Sequence, residues 1–262
     1  IPSGCGEEAM KAQAVLVRTQ IYRELETSED KILTMEYLTR EDIQRQDGPE
    51  EAADSYEKYI RAVEQTDDTV LMYEDGYAWT PFHQASNGKT RSASEVMGTE
   101  EYPYVAVREC PADKESEAEV QVFTLSCSEI QEKCRDFLVA AADGEQAEKG
   151  YSFADFEIKA YDSAGYVSQL RIGNTICTGD QFRDALSLPS SAFSFSEVQA
   201  EEGNEDSEAR IKITTSGNGH GLGMSLWTAE KMDEEGKTYE EILSFFFEGT
   251  ELRKDMQETE LF

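Results

Sequence analysis

Basic residues are scarce in this chain of 262 residues. Lysine and arginine together number 24, against 55 aspartates and glutamates, which gives a formal net charge of −31. A surface with this charge repels the phosphates of nucleic acids and the anionic face of a membrane. The composition therefore argues against nucleic-acid binding, and we expect no nucleic-acid partner.

Long apolar runs, histidines and paired cysteines are also few or absent. The longest apolar stretches, such as residues 12–17, are far too short to span a bilayer, and no basic leader with an apolar core opens the chain. The five cysteines show no CxxC spacing, so we expect free or buried thiols rather than a disulfide framework or a zinc ribbon. The only histidines are His83 and His220. No metal and no cofactor are expected.

The residues that are present are sufficient for a folded core. Hydrophobic residues make up 39% of the chain, with 12 phenylalanines and 12 tyrosines. Helical and strand-like patterns are interspersed without a regular βαβ rhythm, which favours the α+β class. We expect mixed helices and mostly antiparallel strands around one central core, with a surface groove, in a single domain over residues 1–262.

Local patterns predict the main elements. Apolar spacing and good helix formers indicate helices over residues 7–26, 49–63 and 179–186, and another from about residue 224. Capping boxes at Ser126/Glu129 and Thr238/Glu241 predict two more, the first running to about residue 141 before Asp143-Gly144. The candidate strands are residues 70–73, 77–83, 104–107, 153–161, 166–172, 193–198 and 210–214, with a hairpin turn at 75–76. Residues 27–47 read as irregular, and 201–208 as a solvated acidic loop.

Three separated segments carry the sequence motifs of one protein family. Residues 8–19, EAMKAQAVLVRT, are similar to its helix motif EALKAQAVAART. Residues 82–90 (FHQASNGKT), 95–98 (EVMG) and 102–104 (YPY) resemble its strand, its Ser-x-Gly-x-Thr turn and its Trp-Gly segment before Pro-Tyr. Residues 219–227, GHGLGMSLW, with Ala229, resemble its closing GHGVGMSQxGA helix. The matches follow the family order over nearly the whole chain, and the chain therefore resembles the family of stage II sporulation protein D and the amidase enhancers.

The resemblance implies an activity on the bacterial cell wall. Members of the family cleave peptidoglycan between N-acetylmuramic acid and N-acetylglucosamine as lytic transglycosylases, or assist an amidase that strips stem peptides. We therefore expect glycan strands as the partner, with a cell-wall amidase if the chain is a non-catalytic, glycan-binding amidase enhancer. An extracytoplasmic location, in the wall or as a membrane-anchored ectodomain, follows from the same resemblance.

The resemblance also implies where the catalytic acid lies. In the family it is a glutamate directly before an apolar-Pro pair, eight residues ahead of the helix motif. Counting eight back from Glu8 falls one place before Ile1, and Ile1-Pro2 supplies the pair. We expect a glutamate immediately before Ile1, so that the domain is truncated at its N-terminus. Glu7 and Glu8 are not expected to replace it, because the first turn of a helix favours negative charge whatever its role.

Five polar residues in the second and third motifs are candidate substrate contacts. His220 lies among glycines that let a ligand approach the backbone, although it can equally hold its loop in place. His83 stands at a strand end, where a structural role is the alternative. Ser86, Asn87 and Lys89 are suited to sugar hydroxyls and acetamides, yet turns favour Ser-Asn-Gly for backbone reasons alone.

The first helix and the last motif add three more candidates. Arg18 is predicted to be a structural anchor in a hydrogen-bond network, and Gln13 is as readily a substrate contact as a structural residue. Ser225 is a helix cap first and a ligand contact second. Trp79, Trp227 and the run at 245–247 are expected in the core rather than stacked on sugars.

Three features separate this chain from related patterns. Its glycine-rich turn lacks the Lys-Ser/Thr ending of a nucleotide-binding loop, so we reject that function. Some relatives carry a Cys/His zinc site between the first two motifs, but residues 23–66 contain neither residue type. Met97 and Leu226 stand where relatives often have Trp and Gln, which leaves the substrate preference open.

Overall fold

The structure, a computed structural model, describes residues 5–28, 39–116, 120–138, 150–198 and 210–255. Contacts divide the chain into two compact units. The terminal unit comprises Ile1–Phe82, Tyr104–Ala106 and Leu226–Phe262, and the central unit comprises His83–Pro103 and Val107–Ser225. Both units contain helices and antiparallel strands, which confirms the predicted α+β class.

The elements of the described residues are as follows, in chain order. The helices are α1 (Glu7–Thr27), α2 (Arg40–Asp47), α3 (Pro49–Gln65), α4 (Ala93–Met97), α5 (Cys127–Lys133), α6 (Gly179–Leu186), α7 (Leu226–Glu234) and α8 (Tyr239–Phe246). The strands are β1 (Thr69–Tyr73), β2 (Gly76–Tyr77), β3 (Phe82–His83), β4 (Val120–Ser126), β5 (Phe156–Tyr161), β6 (Val167–Ile172), β7 (Thr175–Cys177), β8 (Phe193–Val198), β9 (Arg210–Ser216), β10 (Met224–Ser225) and β11 (Glu251–Lys254). Pro111–Glu115 and Phe153–Asp155 are short 3-10 helices.

Helix α1 is the centre of the terminal unit. Its side chains at Ala12, Val15 and Leu16 are inaccessible to solvent, and the helix packs against α3, β1, α7 and α8. The Thr19 hydroxyl joins α1 to β1, because it donates to the Val15 carbonyl at 2.7 Å and accepts from the Leu71 N–H at 2.9 Å. Strand β1 is the middle strand of an antiparallel sheet ordered β11-β1-β2.

The central unit is built from two antiparallel three-stranded sheets, ordered β4-β9-β8 and β5-β6-β7. Strands β4 and β9 pair over seven positions, from Val120 with Ser216 to Ser126 with Arg210. Helices α5 and α6 contribute to an apolar core, whose fully buried members include Ile130, Leu170, Ile172, Phe182, Ile211 and Ile213. The packing of these side chains supplies most of the apolar burial of this unit.

Most predicted elements are confirmed. Both capping boxes form, with Ser126 and Thr238 each bonded to the backbone three residues ahead. The helices at 7–26, 49–63 and 179–186 and the hairpin of β5 and β6 are present, and all five cysteines are free and buried. The hairpin at 75–76 also forms, with Glu74 and Asp75 as its turn residues.

Four predictions of local structure are wrong. Residues 77–83 form two short strands and 104–107 none, because the Trp79 N–H bonds to the Tyr104 hydroxyl at 2.7 Å instead of to a neighbouring strand. Residues 40–47 form α2, which a capping box between Thr39 and Asp42 opens. Helix α5 ends at Lys133, where bonds across three residues replace helical ones. The predictions at 143–144 and 201–208 lie outside the described residues.

No helix within the described ranges is both long and apolar enough to cross a bilayer.

Candidate functional site

The candidate residues fall into one group in each unit, and the terminal group begins where α1 begins. The carboxylate of Asp233 accepts from the backbone N–H of Glu8 at 2.9 Å and from that of Ala9 at 3.1 Å. It thus caps a helix that has no cap from its own N-cap residue, Gly6. A Cβ at Gly6 would lie 2.1 Å from the Asp233 Oδ2, so this approach requires glycine. Ile1 and Pro2, beside which the catalytic acid is expected, lie outside the described residues.

Two further contacts hold the start of α1 in the terminal unit. Glu8 accepts from the Tyr239 N–H at 2.8 Å and from the Lys11 ammonium at 2.6 Å, which links α1 to α8. The Cys5 thiol donates to a Glu230 carboxylate oxygen at 3.6 Å. Burial, and then the negative charge of Glu230, raise the pKa of this thiol to about 12. Cys5 is therefore a neutral, inert thiol at physiological pH.

Arg18 and Gln13 lie on α1 in different surroundings. The Arg18 guanidinium donates to the Thr69 and Val63 carbonyls at 2.9 and 3.1 Å, and to the Thr66 hydroxyl at 3.1 Å. These bonds join α1 to the end of α3 and the start of β1. Gln13 is buried, and its Oε1 has no hydrogen-bond partner among the described residues. An unsatisfied buried amide oxygen is costly in a folded protein, which marks Gln13 as a residue to test.

In the central unit, Ser86 and Asn87 build a turn over residues 86–90. The Ser86 hydroxyl accepts from the Gly88 N–H at 3.1 Å. The Asn87 side chain accepts from the Lys89 N–H at 3.2 Å and donates to the Ala164 carbonyl at 3.0 Å. Both side chains thus satisfy backbone groups, as such residues commonly do in turns.

Lys89 is the candidate of this turn that reaches the surface. Its ammonium group lies 2.7 Å from a Glu109 carboxylate oxygen, with the two side chains 44% and 70% exposed. An ion pair as exposed as this contributes little to stability, so Lys89 remains available for a ligand.

Asp113 joins the turn to Ser225. Its carboxylate, inaccessible to solvent, accepts from the Ser86 N–H at 2.6 Å and from the Ser225 hydroxyl at 2.7 Å. Ser225 is itself fully buried and belongs to β10, and its hydroxyl serves the fold through this bond to Asp113. Sequence reasoning missed Asp113, because its partners lie 27 and 112 residues away.

The two histidines lie together. Their ring centroids are 5.6 Å apart, and each ring forms a hydrogen bond with a backbone group of Leu222. The His83 Nδ1 donates to the Leu222 carbonyl at 3.1 Å, and the Leu222 N–H donates to the His220 Nδ1 at 3.0 Å. Burial, and then His220, lower the pKa of His83 to about 3, so His83 is neutral at physiological pH. Its Nε2 is buried and has no partner in the described part of the chain.

The aromatic candidates have mixed surroundings. Phe246 and Phe247 are fully buried in the core of the terminal unit, and Phe245 contacts Phe246 edge to face. Trp227 is partly exposed, and the Lys231 ammonium lies 5.3 Å from its ring centroid. Within the residues that the structure describes, no three or more His, Cys, Asp and Glu side chains are grouped to hold a metal ion.

Comparison with known proteins identifies relatives of the chain. A family model described as a stage II sporulation protein matches residues 1–73. The chain is 28% identical over 267 residues to stage II sporulation protein D of Bacillus subtilis, covering 96% of this chain and 70% of that protein. It is 26% identical over 265 residues to the same protein of Bacillus amyloliquefaciens, covering 94% and 68%.

An uncharacterized protein of Brachyspira hyodysenteriae is 29% identical over 254 residues, covering 94% of this chain and 61% of that protein. These similarities extend far beyond the residues that the family model matches. The resemblance drawn from the three motifs is thereby confirmed: the chain is similar to stage II sporulation protein D over most of its length.

Proposed function

We propose that the protein containing this chain is a peptidoglycan lytic transglycosylase that acts on peptide-free glycan strands. The bond it breaks joins N-acetylmuramic acid to N-acetylglucosamine. The observation that carries the proposal is the match over residues 1–73, which includes the helix motif of α1. This segment contains α1, and the expected acid directly precedes it.

The chemistry requires only one carboxyl group. The acid protonates the oxygen that leaves C1 of the muramic residue, and the resulting carboxylate then takes the proton of the 6-hydroxyl. Attack of that oxygen on C1 closes a 1,6-anhydro ring without water. The proton count balances, since the acid ends the cycle protonated, and no paired second carboxylate is needed.

A single acid must be held in place, and the start of α1 supports this requirement. Asp233 and Glu8 tie the beginning of the helix to α7 and α8 through hydrogen bonds of 2.9 and 2.8 Å. The start of α1, from Cys5 onward in the described residues, is consequently tethered to the rest of the terminal unit. Sites carried on helices are held more accurately than sites on long loops.

In the central unit, we assign the direct glycan contacts to Lys89 and His220. The side chain of Lys89 is 44% exposed, and His220 is a partly exposed residue. Ser86, Asn87, Ser225 and His83 are assigned supporting roles, because each forms at least one hydrogen bond within the fold. Gln13 stays a candidate contact.

The test uses the full protein with peptide-free glycan strands and mass spectrometry of the products. We expect 1,6-anhydromuramic ends, and a loss of rate on the order of 10²- to 10⁴-fold when the glutamate expected before Ile1 is changed to glutamine. Reducing ends instead of anhydro ends would overturn the lytic reaction. Binding without any cleavage would favour the alternative, a glycan-binding amidase enhancer.

We propose an extracytoplasmic location, because the proposed substrate lies there. Glycan strands lie outside the cytoplasmic membrane. The net charge of −31 opposes tight binding of the protein to anionic wall polymers. The enzyme would then benefit from a partner that holds it near the wall, such as an amidase. Protease accessibility in intact cells that retain their membrane checks the location.

A further inference from the structure

Arg91 is a buried cation in the central unit that the sequence motifs do not single out. It follows the 86–90 turn directly, and only 2% of it is exposed. Its Nε donates to Asp162 at 2.7 Å, and its Nη1 donates to both carboxylate oxygens of Asp180 at 3.0 Å. The guanidinium carbon lies 4.8 Å from the centroid of the Tyr166 ring. Two carboxylates and an aromatic face thus hold the guanidinium in one orientation.

What this fixed guanidinium holds is the glycine-rich loop at residues 217–223. Its Nη1 also donates to the His220 carbonyl at 3.2 Å, and the backbone N–H of Arg91 donates to the Gly221 carbonyl at 2.7 Å. Two consecutive carbonyls of the loop are therefore bonded to one residue. Gly221 has φ +80°, and a Cβ there would lie 2.7 Å from the Tyr166 ring and 2.9 Å from the Arg91 Cδ. The loop can lie this close to Arg91 only with glycine at position 221.

The backbone N–H and carbonyl of Leu222 set the tautomers of the two histidines. A carbonyl oxygen only accepts hydrogen bonds. The His83 Nδ1, which faces the Leu222 carbonyl, therefore carries a proton. The Leu222 N–H only donates, so the His220 Nδ1 facing it carries none. Neutral His220 therefore has its proton on Nε2, the opposite nitrogen from His83.

We propose that Arg91 is a positioning residue for His220. By holding the His220 and Gly221 carbonyls it keeps the Leu222 N–H, which shares a peptide unit with the Gly221 carbonyl, in line with the His220 Nδ1, so that His220 presents its Nε2 proton to a sugar oxygen of the glycan. The ligand in this inference rests on the proposed function, whereas the orientation and the tautomer rest on the hydrogen bonds alone.

Nuclear magnetic resonance of the histidine nitrogens tests the orientation without any activity assay. Since the chain has only two histidines, a protein labelled with ¹⁵N-histidine gives two imidazole patterns. We expect opposite tautomers in the unchanged protein, with Nδ1–H for His83 and Nε2–H for His220. A proton on Nδ1 of His220 would overturn the proposal before any variant is made.

Arg91→Lys is the decisive variant, because lysine keeps the charge and loses the planar fork. We expect His220 to become a mixture of tautomers while His83 keeps its Nδ1 proton. On glycan strands, kcat/KM should fall on the order of 10- to 100-fold, mainly through a raised KM. His220→Ala should add little to the loss in this variant, since the two residues act as one unit.

The matched control is Arg171→Lys, which changes a partly exposed arginine paired with Glu157 at 3.1 Å. It should alter neither the tautomers nor kcat/KM. If a folded Arg91→Lys protein behaves like this control, the positioning role is wrong. If Arg91→Lys does not fold, Asp180→Asn takes its place, because it removes one charged partner of Arg91 and leaves Asp162. We then expect His220 to become a partial mixture of tautomers. Unchanged tautomers would contradict the positioning role.

The two proposals fail separately. Absence of glycan turnover in the unchanged protein contradicts the proposed function, while the imidazole spectra still decide whether Arg91 positions His220.

Discussion

The two units hold their candidate residues by different means. In the terminal unit, Gln13 and Arg18 belong to α1, whose position follows from the complete burial of apolar residues such as Val15 and Leu16. In the central unit, the 86–90 turn and the glycine-rich loop are irregular, and buried charges at Asp113 and Arg91 hold them. An apolar helix tolerates the loss of one polar contact, whereas a buried polar network loses several partners at once. The central site should therefore be the more fragile of the two.

The largest effect is expected from Asp113→Ala. It leaves the Ser86 N–H and the Ser225 hydroxyl without the acceptor that each has inside the protein. The free energy of unfolding should fall by about 2 to 5 kcal/mol. Chemical denaturation measures this, with Asp136→Ala as the control, because the Asp136 side chain is 92% exposed. Equal stabilities of the two variants would contradict the view that Asp113 holds the turn.

The second-largest loss of stability is expected at Gly221, where a pair of variants distinguishes steric clash from backbone strain. Gly221→Ala and Gly98→Ala both place a side chain on a residue with positive φ, at +80° and +68°. Only at Gly221 does the new Cβ meet other atoms, while nothing lies within 4 Å of it at Gly98. We expect Gly98→Ala to cost about 1 kcal/mol and Gly221→Ala about 2 to 4 kcal/mol. Similar losses for both would show that the loop does not need to lie against Tyr166 and Arg91.

The pH dependence of the unfolding free energy gives a further test of the central unit, through His83. The unfolded chain protonates this histidine near pH 6.5, whereas burial lowers the pKa of His83 to about 3 in the folded protein. Between these values the unfolded state binds one more proton, so stability must fall as the pH falls, by at most about 1.4 kcal/mol per pH unit from this group. His83→Asn should remove that part of the slope of unfolding free energy against pH. Denaturation at pH 6, 5 and 4 compares the two proteins, and parallel slopes would contradict the neutral state of His83.

Sequence patterns predicted the parts of the fold that short-range contacts determine. Helix α1 and the caps at Ser126 and Thr238 depend on residues three or four apart, and all of them form. Strand β11, with the sequence Glu-Leu-Arg-Lys, was not predicted, because its pairing with β1 overrides a charged composition.

Sequence motifs predicted residues of the candidate site, but not the residues to which they are hydrogen-bonded. The motifs pointed to His83, Ser86 and His220, yet nothing nearby in the chain indicated what holds them. Arg91 bonds across 71, 89 and 129 residues to Asp162, Asp180 and His220. Such partners become visible only when the chain is folded. The same limit applies to Asp233, which caps α1 from 225 residues away.

The smallest effect is expected at that cap, in the terminal unit. Asp233→Ala removes the acceptor for the Glu8 and Ala9 N–H groups and should cost about 1 kcal/mol. Gly6→Ala should cost a similar amount, because its Cβ displaces the same carboxylate. The double variant should then be no less stable than Asp233→Ala alone, which a double-mutant cycle of unfolding free energies measures. Additive losses would mean that Gly6 is required for a reason other than Asp233, and faster hydrogen exchange at Glu8 and Ala9 in both single variants would locate the change at the start of α1.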